Sequence, residues 1–394
     1  MHYLIAPDSF KGNMTAAQVC ETIEEGLRFA DPLAIVETVP LADGGEGTAR
    51  TITINAGGRF ETVRVTGPLG APVTAEFGLI DGGRVAVLDM ASASGIELID
   101  RSQLNPLRAT SFGTGELIRG ALDSGARQLI IGIGGSATVD GGIGMLLALG
   151  FQFFDVHGKP VGQGGQALEK IDRIDGTKKD PRLEGVSIRV ACDVTNPLLG
   201  ERGAAAIFGP QKGATPEMVV QLERGLGRLA EAWKKAGLTD AVDHSGDGAA
   251  GGMGAALRVC LGASVESGAL LVMRYSGFFE KLPDTDLVIT GEGMTDGQTA
   301  GGKLCSVVAR ECRSAGVPVA LLSGALSGDP WSLLEPFDYA VSIARGQVGL
   351  DAMIRDSRGD LRFAAANLAK AMALGKRITG GPQRGRPTGS DGPR

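Results

Sequence analysis

The sequence predicts an α/β fold made of two α/β domains with mostly parallel sheets, and two observations lead there. Short β-branched runs alternate with helical patterns along the chain, as helix-covered parallel sheets require. The 394 residues, 43% hydrophobic and 21% charged, suffice for a full core and, at ~150 residues per domain, for two domains.

Each element carries its own signal. "TAAQ" at Thr15–Gln18 has the capping-box pattern and predicts a helix start, and "AIVETV" at 34–39 reads as a strand. "DGGE" at Asp43–Glu46 is the Asp-x-x-Glu variant of the box. The stretch beginning at Gly58 and running to residue 88 reads as three short strands broken by "GPLG" and "DGG", an antiparallel meander. "LIIGIGGSATVDGGIGMLLALG" (129–150) runs a strand through a glycine-rich turn into an apolar helical run. "SIRVACD" (187–193), "TDLVITGEG" (285–293) and "VPVALLSG" (317–324) are further strands. Residues 380–394 have nothing apolar to pack and are expected to be a disordered tail.

Composition narrows the function. A net charge of −6 and a pI near 5.3 lack the basic footprint of a nucleic-acid binder, so an anionic ligand must be held by local cations and backbone amides. No apolar run reaches the ~20 residues of a membrane span, and "MHYLIAPDSFKG" is too short an apolar start for a secretory signal, so a cytoplasmic location is expected. The five cysteines (Cys20, Cys192, Cys260, Cys305, Cys312) are scattered without CxxC spacing and read as reduced thiols. None of the three histidines, His2, His157 and His244, sits in a glycine-rich or acidic cluster, which argues against histidine catalysis.

The 62 glycines are about twice the usual ~7% share and gather at strand ends, where open α/β sheets bind ligands. Several of these turns also carry Asp, Glu, Lys, Ser or Thr, which suits a phosphate and metal site better than a hydride-transfer site. Two motifs nearly fit. Gly132, Gly134 and Ala137 match G-x-G-x-x-A, with Asp155 where a ribose-binding acid belongs, but Asp140 puts a carboxylate where a pyrophosphate wants bare amides. Gly297, Gly302 and Lys303 match G-x-x-x-x-G-K, but Leu304 replaces the magnesium-binding Ser or Thr.

The motifs "APDSFKG", "PLADGGEGT", "SFGTGELI", "GIGGSATVDGGIGMLLALG", "CDVTNPLLG", "FGPQKGA", "AAGGMGAAL" and "ITGEGMTDGQTAGGK", in this order, resemble the bacterial type-1 glycerate kinase family from residue 1 to about 375. The resemblance implies transfer of the ATP γ-phosphoryl group to D-glycerate with magnesium, usually at the 2-hydroxyl. It also implies that one domain is inserted into the other. The end of the meander and the new strand after "KLPD" set the expected boundaries: residues 1–83 with 284–379 as the first domain and 84–283 as the insert. An NAD-dependent hydroxy-acid dehydrogenase and a non-catalytic small-acid sensor remain alternatives.

A kinase for a small hydroxy acid must hold a carboxylate, neutralise phosphates, bind magnesium through one or two carboxylates and aim the hydroxyl in line. Lys11, Lys212 and Lys303 follow glycine-rich or strand-end turns and can bind phosphate or carboxylate, or be solvated loop lysines. Asp193 ends an apolar strand, with Thr195 and Asn196 beside it; it can bind magnesium, accept the hydroxyl proton or cap a turn before Pro197. Gly134, Gly135 and Ser136 offer amides and a hydroxyl to phosphate, and Asp140 can orient magnesium through water. Glu292 and Asp296 flank Gly293 as a metal pair. Ser9, Asp43, Glu46 and Asn196 complete the set as substrate-binding candidates, Asp43 and Glu46 being equally explained as a helix cap.

Overall fold

The computed structural model describes residues 1–42, 45, 47–295, 304–346 and 349–380. Two sheets organise it. In chain order the strands are β1 (His2–Ile5), β2 (Ile35–Thr38), β3 (Arg59–Thr66), β4 (Pro72–Ile80), β5 (Val85–Asp89), β6 (Gln128–Gly132), β7 (Ser187–Ala191), β8 (Ser264–Glu266), β9 (Leu287–Thr290), β10 (Val319–Ser323) and β11 (Tyr339–Ser342). One sheet has the order β11-β10-β9-β1-β2 and is parallel throughout, with Tyr3 opposite Leu287 and His2 opposite Ile35. The other has the order β8-β7-β6-β5-β4-β3; β3 to β5 are antiparallel and β5 to β8 parallel. Strands inside both sheets, such as β5 and β10, are buried along their whole length, which is why they read as continuous apolar runs rather than alternating ones.

The helices that matter for the site are α1 (Ala16–Ala30), α2 (Thr48–Asn55), α3 (Phe112–Asp123), α4 (Ile143–Ala148), α5 (Pro216–Lys235), α6 (Ala249–Leu261), α7 (Gly268–Tyr275), α8 (Leu304–Ala315) and α9 (Leu350–Gly380). The capping box forms at α1: Thr15 Oγ1 accepts from the Gln18 amide at 3.2 Å, and Gln18 Oε1 accepts from the Thr15 amide at 2.9 Å.

The box expected at Asp43 does not start α2. That helix begins at Thr48 with Gly47 as its N-cap, and the Asp89 carboxylate, arriving from the end of β5, accepts from the Gly47 amide at 3.0 Å and the Ala49 amide at 3.2 Å. A carboxylate 40 residues away in sequence takes the capping role, a replacement no local pattern can show. Asp43 and Glu46 lie outside the described residues.

Sheet membership moves the boundary expected near residue 84. The meander strands β3 and β4 hydrogen-bond onward to β5, so they belong with the six-stranded sheet, and the chain crosses from one sheet to the other between Thr38 and Arg59. Antiparallel pairing inside the meander is visible in sequence, but which sheet its last strand joins is set by the parallel neighbour β6. The return crossing falls between Glu266 and Leu287. The five-stranded sheet is thus built from both ends of the chain and the six-stranded sheet from its middle.

Three apolar clusters hold these layers. One fills the six-stranded unit around Leu129, Met145 and Trp233, and one packs α1 and α9 against β1 and β10 through Ile23, Leu27, Leu361 and Ala365. The third lies between the two sheets: Leu4 and Val288 from one and Val87 and Ile130 from the other meet Ile52 of α2, Leu271 of α7 and Val308 of α8. Side chains from both sheets and from these helices share this one cluster, which packs the two units against each other. Of the tail expected from residue 380, only Gly380, the last residue of α9, is described; the rest lies outside the described residues. Among the described residues no helix is long and apolar enough to cross a membrane.

Candidate functional site

Strand ends face two adjoining clefts. The first opens at the carboxyl ends of β6 and β7. After β6 the chain turns through Ile133–Ser136 with Gly135 at φ 69°, a left-handed conformation that a side chain would strain. This turn, Asp193 beyond β7, Lys212 and Ala250 line a cavity of about 460 Å³. The start of α6 is unusual: Ala250, Gly251 and Gly252 all have positive φ, and a Cβ on Gly251 would stand 2.1 Å from the Thr138 carbonyl oxygen. Left-handed backbone at a non-glycine residue is strained, and here it forms part of the cleft wall.

Two buried ionisable side chains stand here, Lys212 on the cavity wall and Asp140 behind it. Asp140 is fully buried; its carboxylate accepts from the Ser111 amide (2.9 Å) and hydroxyl (2.8 Å), the Gly142 amide (3.0 Å) and the Gly144 amide (3.3 Å). Burial pushes its proton affinity up, and those four donors pull the other way. Asp140 therefore ties the start of α3 to the start of α4 and is not among the residues that line the cavity. Lys212, only 2% exposed, donates from Nζ to Ser136 Oγ and to the Thr138 carbonyl, both at 2.7 Å. Loss of water pushes its pKa down to about 7, with Asp140 acting in the opposite sense.

The second cleft, about 920 Å³, opens at the carboxyl ends of β1 and β2 between the β1–α1 turn and α2. Asp8, Ser9 and Lys11 stand on its wall, and Gly45 and Gly135 line both clefts, so the two join there. The Asp8 amide donates to the Gly291 carbonyl at 2.8 Å, locking the end of β1 to the end of β9, and the Asp8 carboxylate accepts from the Ser9 amide at 2.6 Å. Past β9, Glu292 Oε1 accepts from Thr295 Oγ1 at 3.0 Å. Both Asp8 and Glu292 raise the proton affinity of the buried Cys305 thiol, after burial itself, so they act on one neighbourhood.

Of the residues singled out in the sequence, the structure brings Gly134, Gly135, Ser136, Asp193 and Lys212 to the first cleft and Ser9 and Lys11 to the second. Asp193 differs from its expected apolar setting. It is exposed, and its Oδ1 accepts from Ser267 Oγ at 2.9 Å and the Gly268 amide at 3.0 Å, at the start of α7. The cap it forms is thus across the sheet and not the local turn before Pro197. Asn196 is directed elsewhere, its amide donating to the Arg202 carbonyl at 2.8 Å. Glu292 follows β9 in the five-stranded sheet while Asp193 follows β7 in the other, and among the described residues no three His, Cys, Asp or Glu side chains gather as a metal-ligand set. Asp296 and Lys303 lie outside the described residues. Asp155 ends a short hairpin pair, 152–154 with 173–175, and accepts from the His157 and Lys159 amides, so it is not a ribose-binding acid on a parallel strand. Sequence reasoning missed Asp8 and Asp89; both are strand-end carboxylates, the same signal that singled out Asp193.

Comparison with known proteins adds three findings. The model of the glycerate kinase family matches residues 3–373. The chain is 45% identical over 381 residues to glycerate 2-kinase of Escherichia coli (strain K12), covering 96% of this chain and all of that one, and 44% identical to glycerate kinase of Bacillus subtilis (strain 168), covering 95% and 99%. A crystal structure assigned to glycerate kinase 2 of Salmonella typhimurium LT2 superposes with a TM-score of 0.86 at 43% identity, covering 96% of this chain and 99% of the other.

Proposed function

The chain belongs to the glycerate kinase family and is a kinase, and from that premise we propose that it transfers the γ-phosphoryl group of ATP, with magnesium, to the 2-hydroxyl of D-glycerate, giving 2-phosphoglycerate. The observation that carries this reading is the meeting of two strand-end clefts at Gly45 and Gly135. Two substrates must meet in line, and each cleft supplies the chemistry for one.

The Gly134–Ser136 turn, backed by Lys212, suits the phosphoryl group, because a glycine-rich turn after a strand lets backbone approach phosphate oxygens closely. Ser9 and Lys11, on the second cleft, suit the hydroxyl and carboxylate of a small acid. Asp193, exposed at the first cleft, can take the hydroxyl proton through the carboxylate oxygen not used toward Ser267 and Gly268, or hold magnesium. Magnesium uses one or two carboxylates plus phosphate oxygens, a demand Asp193 or Glu292 with Asp296 meets; when bound it would neutralise charge on the phosphates. The dehydrogenase alternative loses its support, since Asp155 is committed to a turn. A cytoplasmic site of action is in keeping with the five free cysteines, which a reducing compartment would keep as thiols.

Turnover of D-glycerate with Mg-ATP, with the product read by phosphorus NMR, tests the reading. Expected is one ADP per phosphoglycerate and phosphorus coupled to the proton on C2. Coupling to the C3 protons would move the transfer to the other hydroxyl, and absence of turnover with any nucleoside triphosphate would overturn the donor.

A further inference from the structure

Lys212 poses a problem that its protein partners do not solve. Its Nζ is buried, and both its acceptors, Ser136 Oγ and the Thr138 carbonyl, are neutral. No carboxylate among the described residues forms an ion pair with it; Asp140 acts on it only electrostatically, its oxygens being held by Ser111, Gly142 and Gly144. A buried ammonium without a counter-ion is costly. Such a group either gives up its proton or acquires an anion. The cavity it lines is where an anion can come from.

Resting on the reading above, we infer that the counter-ion of Lys212 is a phosphate of the diphosphate that ATP and ADP share, so that occupation of the first cleft and protonation of this one lysine are a single event. The other titratable groups on the described cavity wall do not substitute for it. The Cys192 thiol is pushed up to about 11 by burial and stays neutral, and Asp193 is turned toward Ser267 and Gly268. In the empty protein desolvation holds Lys212 near pH 7, and an anion against Nζ favours its charged form. Above about pH 7, binding must therefore take up a proton, and affinity must fall as pH rises.

Calorimetric titration of the full-length protein with Mg-ADP at pH 8, in two buffers of different ionisation enthalpy, reads this directly. Expected is uptake of at least about half a proton per site, with the dissociation constant rising up to about tenfold per pH unit between pH 7.5 and 9, where nucleotide phosphates no longer titrate. Binding with no proton uptake would overturn the inference and leave the kinase reading standing; no binding of Mg-ADP at any pH would overturn both. In Lys212→Met, which removes the charge at similar volume, Mg-ADP binding should weaken about tenfold or more and lose its pH dependence, with KM for ATP rising more than KM for glycerate. A rise confined to glycerate would overturn the phosphate assignment in favour of the carboxylate.

Discussion

The turn after β1 carries an aspartate and a lysine on the wall of the second cleft, and the turn after β6 packs an aspartate of its own and a lysine from a distant segment beside the first, yet the two handle charge in opposite ways. In the first, Lys11 is exposed at the rim of the cleft and Asp8 sits just beneath the surface against the Ser9 amide. In the second, Asp140 is wholly buried, and Lys212, brought in from a distant segment, is nearly so. A charge in water behaves much as its model compound does; a charge removed from water is governed by the few groups that touch it. The β6 turn is accordingly where protonation can be coupled to ligand binding, and where single substitutions should cost most.

The largest expected effect is Asp140→Ala. It strands the Ser111, Gly142 and Gly144 amides without an acceptor in a dry site, and the expected loss of stability in urea denaturation is about 3–5 kcal/mol. Ser9→Ala in the other turn should change stability by less than about 0.5 kcal/mol, since it is half-exposed. Equal losses at the two positions would break the contrast.

Next is Asp193→Asn, which keeps an acceptor for Ser267 and Gly268 but removes the negative charge. If the negative charge of Asp193 serves the reaction, kcat falls on the order of 100-fold while the melting temperature stays near that of the parent. A kcat within about threefold of the parent would leave Asp193 only its cap at α7.

Smaller again is the pH dependence of stability. The folded, empty protein holds Lys212 near 7 while the unfolded chain holds it near 10.5, so between those values the unfolded state binds more protons and stability must rise with pH. The cost of burying the charge is fully present below about pH 7 and is relieved as pH rises toward 10.5. Against Lys212→Met as reference, the parent should gain up to about 1.4 kcal/mol per pH unit between pH 7.5 and 9 in denaturation midpoints. A flat difference would mean the lysine is not isolated as the structure shows.

The smallest is Thr15→Ala at the end of the β1 turn. It removes one half of the capping box and should cost about 1 kcal/mol, read as a shift in urea midpoint with unchanged slope. No measurable shift would show that the box contributes nothing where the chain enters α1.

Much of this molecule is local and therefore legible. The capping box at Thr15 forms because both its partners lie within three residues, and the meander from Arg59 to Asp89 forms because its turns fix the pairing of adjacent strands. The glycine-rich turn of residues 129–150 reads correctly as strand, turn and helix for the same reason. What failed to be legible is non-local. Asp89 caps α2 from some 40 residues away, and Asp193 is exposed and held at the start of α7 although apolar residues precede it.

The sequence by itself determined the element types, the family resemblance and the glycine-rich strand ends where ligands belong, because backbone propensity, turn chemistry and motif spacing are properties of short segments. Tertiary structure alone decided that the meander joins the middle sheet, that Asp140 is walled in among amides and that Lys212 reaches the Ser136 turn from 76 residues away with no ion-paired carboxylate among the described residues. The reason is that desolvation depends on which distant segments exclude water from a group, and that is fixed only when the layers pack.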